Sequence, residues 1–159
     1  MLSATLAPVR VDPTIWSTNW AWSLPLIVLT VVIHVLGLGL INQRAVRVSS
    51  SAKERPHPTA HFAVIMGATT LAATILHALE AAIWAAAYRL LGALPDQRSA
   101  MLYSLNAITS YGHTTLTLES HWQLMGAMEA LNGWLLFGLT TAFLFSMIDK
   151  VGSVRRNGT

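Results

Sequence analysis

The sequence predicts an all-α integral membrane protein with three transmembrane helices plus a short re-entrant helix and loop, assembled as a fourfold tetramer. Hydrophobic residues make up 53% of the 159 positions and charged residues 11%, whereas a soluble domain has about 25% charged residues. Three apolar runs are long enough to cross a bilayer. A hydroxyl-rich run too short to cross, residues 104–115, lies between the second and the third.

Composition excludes several classes of function. The chain has no cysteine, so disulfide frameworks and zinc–thiolate sites are impossible. The net charge is +3, but the basic residues flank apolar runs, which is a topology signal and not a nucleic-acid-binding face. No nucleophile elbow, nucleotide loop or dense histidine motif occurs. We therefore expect no nucleic-acid partner, no enzymatic activity with catalytic residues, and no cofactor or resident metal.

Residues 1–60 form the first predicted unit. An interfacial segment contains Trp16, Trp20 and Trp22, since indoles favour the membrane–water boundary. Residues 22–42 carry no Asp, Glu, Lys or Arg and form the first span. Residues 43–60 form a basic cytoplasmic linker in which Pro56 and Pro58 are expected to break any helix.

Residues 61–149 form the second unit, and residues 150–159 a short tail. Residues 61–93 are a long apolar run, residues 94–97 (LPDQ) a turn, residues 98–109 a short helix with apolar residues at helical spacing, and residues 122–148 the last span. Positive charge is retained in the cytoplasm. The basic linker and tail therefore predict a multi-pass protein of the cell (inner) membrane with its N-terminus outside and its C-terminus cytoplasmic.

The run at 104–115 predicts a pore or cavity. A helix ends there in hydroxyl residues and one glycine, and irregular backbone at membrane depth is tolerated only where protein buries it or water wets it. One subunit supplies too few helices to enclose a pore, so an oligomer in the lipid bilayer follows.

The chain from about residue 77 to 148 resembles the pore domain of the potassium-channel superfamily. The resemblance is carried by His77-Ala78-Leu79-Glu80 with Trp84, by Tyr103-Ser104-Leu105, and by the run at 139–143 (LTTAF). It implies an outer helix, a pore helix, a selectivity filter and an inner helix, assembled as a homotetramer around a fourfold axis. It also implies a channel-like function with a monovalent cation, K⁺ or Na⁺, as the permeant ion.

The filter departs from the signature Thr-Val-Gly-Tyr-Gly that this family uses. Without gaps, the five signature positions are occupied by Ser110, Tyr111, Gly112, His113 and Thr114, and Thr109 matches the threonine that precedes the signature. A two-residue deletion would instead match Tyr111-Gly112 to the signature's own Tyr-Gly. In the ungapped register Thr114 replaces a glycine, and a β-branched residue resists the alternating backbone of a potassium filter. Weak selectivity is expected.

A second resemblance lies at Thr117-Leu118-Glu119-Ser120, which is similar to the filter of bacterial sodium channels and would place Glu119 at the pore mouth. Because this run follows the loop, we interpret it as the start of the last helix, where a carboxylate and a hydroxyl are favoured.

The second and last predicted spans contain His77, Glu80 and Glu129. Such residues indicate function and need a partner. They are either a hydrogen-bonded clamp supporting the pore helix or a metal or proton site. His34, alone in the first span, is expected to make one polar contact. His113 either forms a ring at the fourfold axis, which would gate or bind metal, or bonds back to the scaffold.

Three functions remain open from the sequence. The first is a tetrameric, weakly selective cation channel. The second is a membrane metal protein that uses His77, Glu80 and Glu129. The third is a non-conducting relative that keeps the scaffold and lacks a working filter.

Overall fold

A computed structural model describes residues 13–50, 58–112 and 116–156 of the chain. Four α-helices occupy most of this part: α1 (Pro13–Ser50), α2 (Pro58–Leu90), α3 (Gln97–Ile108) and α4 (Gln123–Arg156). A single turn of 3₁₀-helix, Ser120–Trp122, leads directly into α4. No β-strand occurs among these residues. The predicted all-α class is confirmed.

Three of the helices, α1, α2 and α4, are long and apolar enough to span a membrane. α1 and α4 extend beyond the apolar runs that predicted them, whereas α2 begins and ends three residues earlier than the predicted run 61–93. α1 is 38 residues long and contains the predicted span 22–42 together with eight residues assigned to the linker. Polar residues at the two ends of a spanning helix can keep their helical hydrogen bonds in the interface and in water, so hydropathy alone sets the ends too short.

Pro58 begins α2, although the sequence predicted that Pro56 and Pro58 would interrupt helix throughout residues 43–60. Proline suits the first helical position because the N–H that it lacks would have no partner there. Pro56 lies outside the described residues. Residues 43–50 of the predicted linker are helical and belong to α1, so the start of the linker was predicted too early.

The short helix α3 is 12 residues long and both of its ends are defined by local contacts. Asp96 is the N-cap, and its Oδ1 accepts a hydrogen bond from the Ser99 backbone N–H at 2.9 Å. At the other end, the N–H of Ser110 donates to Ala107 O and the N–H of Tyr111 donates to Asn106 O. This pair of bonds is a Schellman motif.

The predicted last span, residues 122–148, continues as helix to Arg156. Most of the predicted tail at 150–159 is therefore an extension of α4, while residues 157–159 lie outside the described part of the chain.

The contacts between the spanning helices give their relative directions. Leu38 clusters with Ala73 and Leu76, and Ala45 clusters with Ile65 and Met147. α1 therefore runs antiparallel to α2 and parallel to α4, and α3 packs against α2 and α4. The three spans alternate in direction, as a chain with short connections requires.

Candidate functional site

The short helix α3 lies on a stripe of α4 formed by Gly126, Glu129 and Gly133. The intervals of three and four residues place these positions on one helix face. A Cβ atom at Gly126 would collide with the Tyr103 hydroxyl, and one at Gly133 would collide with the backbone carbonyl of Ile108. The two glycines are therefore what allows α3 to approach α4 so closely.

Between the glycines, Glu129 joins three helices in what we call the Glu129 group: Glu129, Ser104 and Tyr88. The Tyr88 hydroxyl of α2 donates to Glu129 Oε2 at 2.6 Å, and the Ser104 hydroxyl of α3 contacts Glu129 Oε1. Ser104 also lies 2.6 Å from the Ala81 carbonyl of α2. Each carboxylate oxygen has a hydroxyl partner, so we call this buried group a closed clamp on α3. Because Ser104 has one hydroxyl hydrogen for two acceptor oxygens, all three contacts are hydrogen bonds only when Glu129 carries a proton.

A second buried group, which we call the His–Glu ring, joins α1, α2 and α4 through His34, His77, Glu80 and Thr140. His34 Nδ1 lies 2.8 Å from Glu80 Oε1, and His34 Nε2 lies 3.0 Å from Thr140 Oγ1. His77 Nε2 lies 3.0 Å from the same Thr140 Oγ1. His77 Nδ1 lies 3.4 Å from Glu80 Oε2 and closes the ring.

The His–Glu ring has one hydrogen fewer than it has contacts. The Thr140 hydroxyl and two neutral imidazoles supply three hydrogens, and an ionised carboxylate supplies none. The four contacts therefore cannot all be hydrogen bonds. The deficit falls on His77 Nδ1 and Glu80 Oε2, both of which are buried without a hydrogen-bond partner.

The structure separates the three residues that the sequence suggested as one site. His77 and Glu80 lie together in the ring. Glu129 instead has Ser104 and Tyr88 as its partners. The clamp hypothesis therefore applies to Glu129, whose partner Ser104 lies on α3, while His77 and Glu80 have their contacts on α1 and α4. The expectation of one polar contact for His34 is wrong, because its two ring nitrogens contact two different helices.

The residues proposed as a filter begin at the end of α3. Thr109 is its C-cap with φ −86°, Ser110 has φ +54° and Gly112 has φ +91°. The left-handed conformation of Ser110 belongs to the Schellman motif, where glycine is the usual residue. Tyr111 is 84% exposed. His113 and Thr114 lie outside the described residues, so the filter register and the proposed His113 ring stay predictions.

Glu119 directly precedes the 3₁₀ turn that begins the last helix, and its carbonyl accepts the Trp122 N–H at 2.8 Å. Its side chain is exposed and lies 3.7 Å from His121 Nδ1. This placement agrees with the interpretation of the run at 117–120 as a helix start.

A series of buried polar contacts fastens α1 to α4. The Asn19 side chain donates to the His121 carbonyl at 2.6 Å and accepts the Met125 N–H at 3.0 Å. Further along, Asn132 Nδ2 donates to Thr30 Oγ1 at 2.8 Å. Together with the contact between His34 and Thr140, these bonds make α1 an integral part of the helix bundle.

Sequence reasoning missed four members of these groups as site residues: His34, Thr140, Ser104 and Tyr88. His34 carried a signal, since a histidine in an apolar span needs a partner. The hydroxyl residues carried none, because a serine or threonine in a spanning helix can bond its own backbone, as Thr70 and Thr141 do. Which hydroxyls instead reach another helix depends on packing.

No protein-family model, curated protein or solved structure matches this chain.

Proposed function

We propose that this chain is one subunit of a tetrameric, cation-channel-like membrane protein with a weakly selective filter. The observation that carries the proposal is the depth at which α3 ends. The Ile108 carbonyl packs against Gly133, which lies ten residues after the start of α4 at Gln123. At 1.5 Å per residue this is about 15 Å along a spanning helix, half of a hydrocarbon core of about 30 Å.

Irregular backbone therefore begins where lipid would otherwise surround it. Ser110, Tyr111 and Gly112 follow α3 outside any regular helix and are exposed in the single subunit. Backbone N–H and C=O groups cannot face hydrocarbon unpaired, so neighbouring subunits or water must cover this segment. A ring of subunits around a wetted axis provides both.

The architecture offers the parts that such an assembly needs. In the proposed roles, α2 is the outer helix, α3 the pore helix and α4 the inner helix, with the Glu129 group holding α3 in place. α1 stands beside α4 as a supporting helix. The proposed orientation has the N-terminus outside, which follows from the basic residues of the 43–60 linker and of the segment after residue 149.

The proposal is tested by ion flux through purified protein in liposomes, with K⁺, Na⁺ and Cl⁻ exchanged in turn, and by the mass of the assembly measured after crosslinking in the membrane. We expect a tetramer that passes K⁺ and Na⁺ with little discrimination and excludes Cl⁻. A monomer after in-membrane crosslinking would overturn the proposal. A tetramer without flux would favour the non-conducting alternative.

A further inference from the structure

We propose that His34, His77 and Glu80 form a binding site for one divalent transition-metal ion, with Zn²⁺ as the fitting example, in each subunit. The site would join α1 to α2 beneath the Thr140 hydroxyl of α4. It is independent of any pore, because all of its ligands come from one chain.

The ligand set is suited to such an ion. Imidazole nitrogen and carboxylate oxygen are common Zn²⁺ ligands at about 2.0–2.2 Å, and one candidate ligand atom from each of the three residues lies within 4.8 Å of the others. The Nδ1 atoms of His34 and His77 lie 2.8 Å and 3.4 Å from the two oxygens of one carboxylate. Tetrahedral ligands around Zn²⁺ are separated by about 3.3 Å, so small side-chain movements would admit the ion.

Thr140 supplies the outer partner that metal-binding histidines usually have. A ligating imidazole donates its other N–H to an oxygen, which fixes the ring orientation and the tautomer. Both Nε2 atoms lie 3.0 Å from Thr140 Oγ1, and a hydroxyl oxygen has two lone pairs to accept them. When both Nε2 atoms carry hydrogen, both Nδ1 lone pairs point to the Glu80 side of the ring.

A bound metal ion would explain why His77 Nδ1 and Glu80 Oε2 have no hydrogen-bond partner. In the tautomer with hydrogen on both Nε2 atoms, two Nδ1 lone pairs and an ionised carboxylate would face one another with no hydrogen between them, and Glu80 is 0% exposed. Buried like-signed lone pairs need a cation. A metal ion placed among the three groups would satisfy His77 Nδ1 and Glu80 Oε2, which have no partner in the hydrogen-bonded arrangement.

The decisive experiment uses the full-length protein, stripped of metal with EDTA and titrated with Zn²⁺ against a chromophoric indicator. We expect one Zn²⁺ per chain and loss of that site in His34→Gln. Thr140→Val, which keeps shape and all three ligands, should weaken binding by about 10–100-fold. His121→Gln is the matched control, because His121 also lies near a carboxylate, Glu119, but is exposed; its binding should equal wild type.

Absorption spectra of the Co²⁺-loaded protein and X-ray absorption spectra identify the ligands in the wild-type protein, so they do not depend on the folding of any variant. They should report nitrogen and oxygen ligands at about 2.0–2.2 Å. Stoichiometry separates this site from a His113 ring, which would bind one ion per four chains. Failure of Zn²⁺ to bind the wild-type protein, or equal binding by His34→Gln, would overturn the proposal and leave a shared proton as the cation. Neither result depends on whether the protein conducts.

Discussion

The Glu129 group and the His–Glu ring both bury a carboxylate that is 0% exposed, yet they are built differently. The Glu129 group joins α2, α3 and α4, and both oxygens of its carboxylate have hydroxyl partners. The His–Glu ring joins α1, α2 and α4 and leaves a nitrogen and an oxygen without partners. Every carboxylate oxygen of the first group has a contact within the protein, whereas the second leaves two buried atoms unpaired and, in our proposal, is completed by a metal ion.

This difference assigns the two groups different tasks. A closed group fixes the position of α3, whose end supplies the residues proposed as a filter. An open group that joins α1 to α2 and α4 stabilises the bundle only to the extent that its charge is balanced, since an unpaired charge inside a membrane is unfavourable. The contrast leads to predictions that separate the two regions, and we give them from the largest expected effect to the smallest.

The largest effect is expected for Glu129→Ala. It leaves the Tyr88 hydroxyl unpaired, which costs about 1–3 kcal/mol, and the cavity adds a comparable amount. Hydrogen exchange should rise throughout residues 97–108. Glu80→Ala is the control from the other region and should increase exchange in α1 without affecting α3. Equal protection of α3 in wild type and Glu129→Ala would show that Glu129 is not a clamp.

Gly133→Ala tests the close contact between α3 and α4 and changes neither buried carboxylate. The added Cβ meets the backbone carbonyl of Ile108, which cannot rotate away, so we expect a loss of about 1–3 kcal/mol. Gly138→Ala is matched to it in helix and chemistry and has no atom within 4 Å of its Cβ. Alanine should stabilise α4 there by up to about 1 kcal/mol. Thermal unfolding of both variants in detergent measures the difference, and equal shifts would contradict the close approach.

Thr140→Val probes the ring when metal is absent. Valine keeps the shape of threonine but removes the oxygen that both Nε2 atoms contact, so we expect a loss of about 1–3 kcal/mol. The adjacent Thr141 is exposed and bonds only its own helix, at Phe137 O. Thr141→Val should therefore leave the melting temperature nearly unchanged. If Thr140→Val melted at the same temperature as the wild-type protein, the ring would contribute little to stability.

The smallest effect concerns the N-cap of α3. Hydrogen bonds from the side chain and then the backbone N–H of Ser99 hold the pKa of Asp96 below its ordinary value of 3.8. A depressed pKa means that the cap stabilises α3 above that ordinary value and is lost as the pH falls through the lower pKa of the folded state. Once corrected for the intrinsic pH dependence of amide exchange, hydrogen exchange at residues 97–100 should rise on acidification. The same exchange should show a weaker pH dependence in Asp96→Asn, and an unchanged dependence would exclude the cap as its source.

The sequence was sufficient for the spans and the short helix, because hydropathy and helical spacing are local properties. It also identified His77, Glu80 and Glu129, since carboxylates and histidines are conspicuous in apolar runs. It could not divide them into two groups. That division depends on which face of α4 packs against α1 and which packs against α3. Gly126 and Gly133 determine the face that packs against α3. Helix ends were set too short because polar residues continue α1 and α4 beyond the membrane core.

The central claim is that the segment after α3 lines a cation pathway. The chain has no cysteine, so Tyr111→Cys introduces a single thiol at a position that is 84% exposed in the isolated subunit. A charged, membrane-impermeant thiol reagent should block cation flux into liposomes that contain Tyr111→Cys. It should leave flux unchanged in Leu90→Cys, where the residue is also highly exposed but lies at the end of α2. Full labelling of Tyr111→Cys with no change in flux, or the absence of flux in the wild-type protein, would contradict the claim.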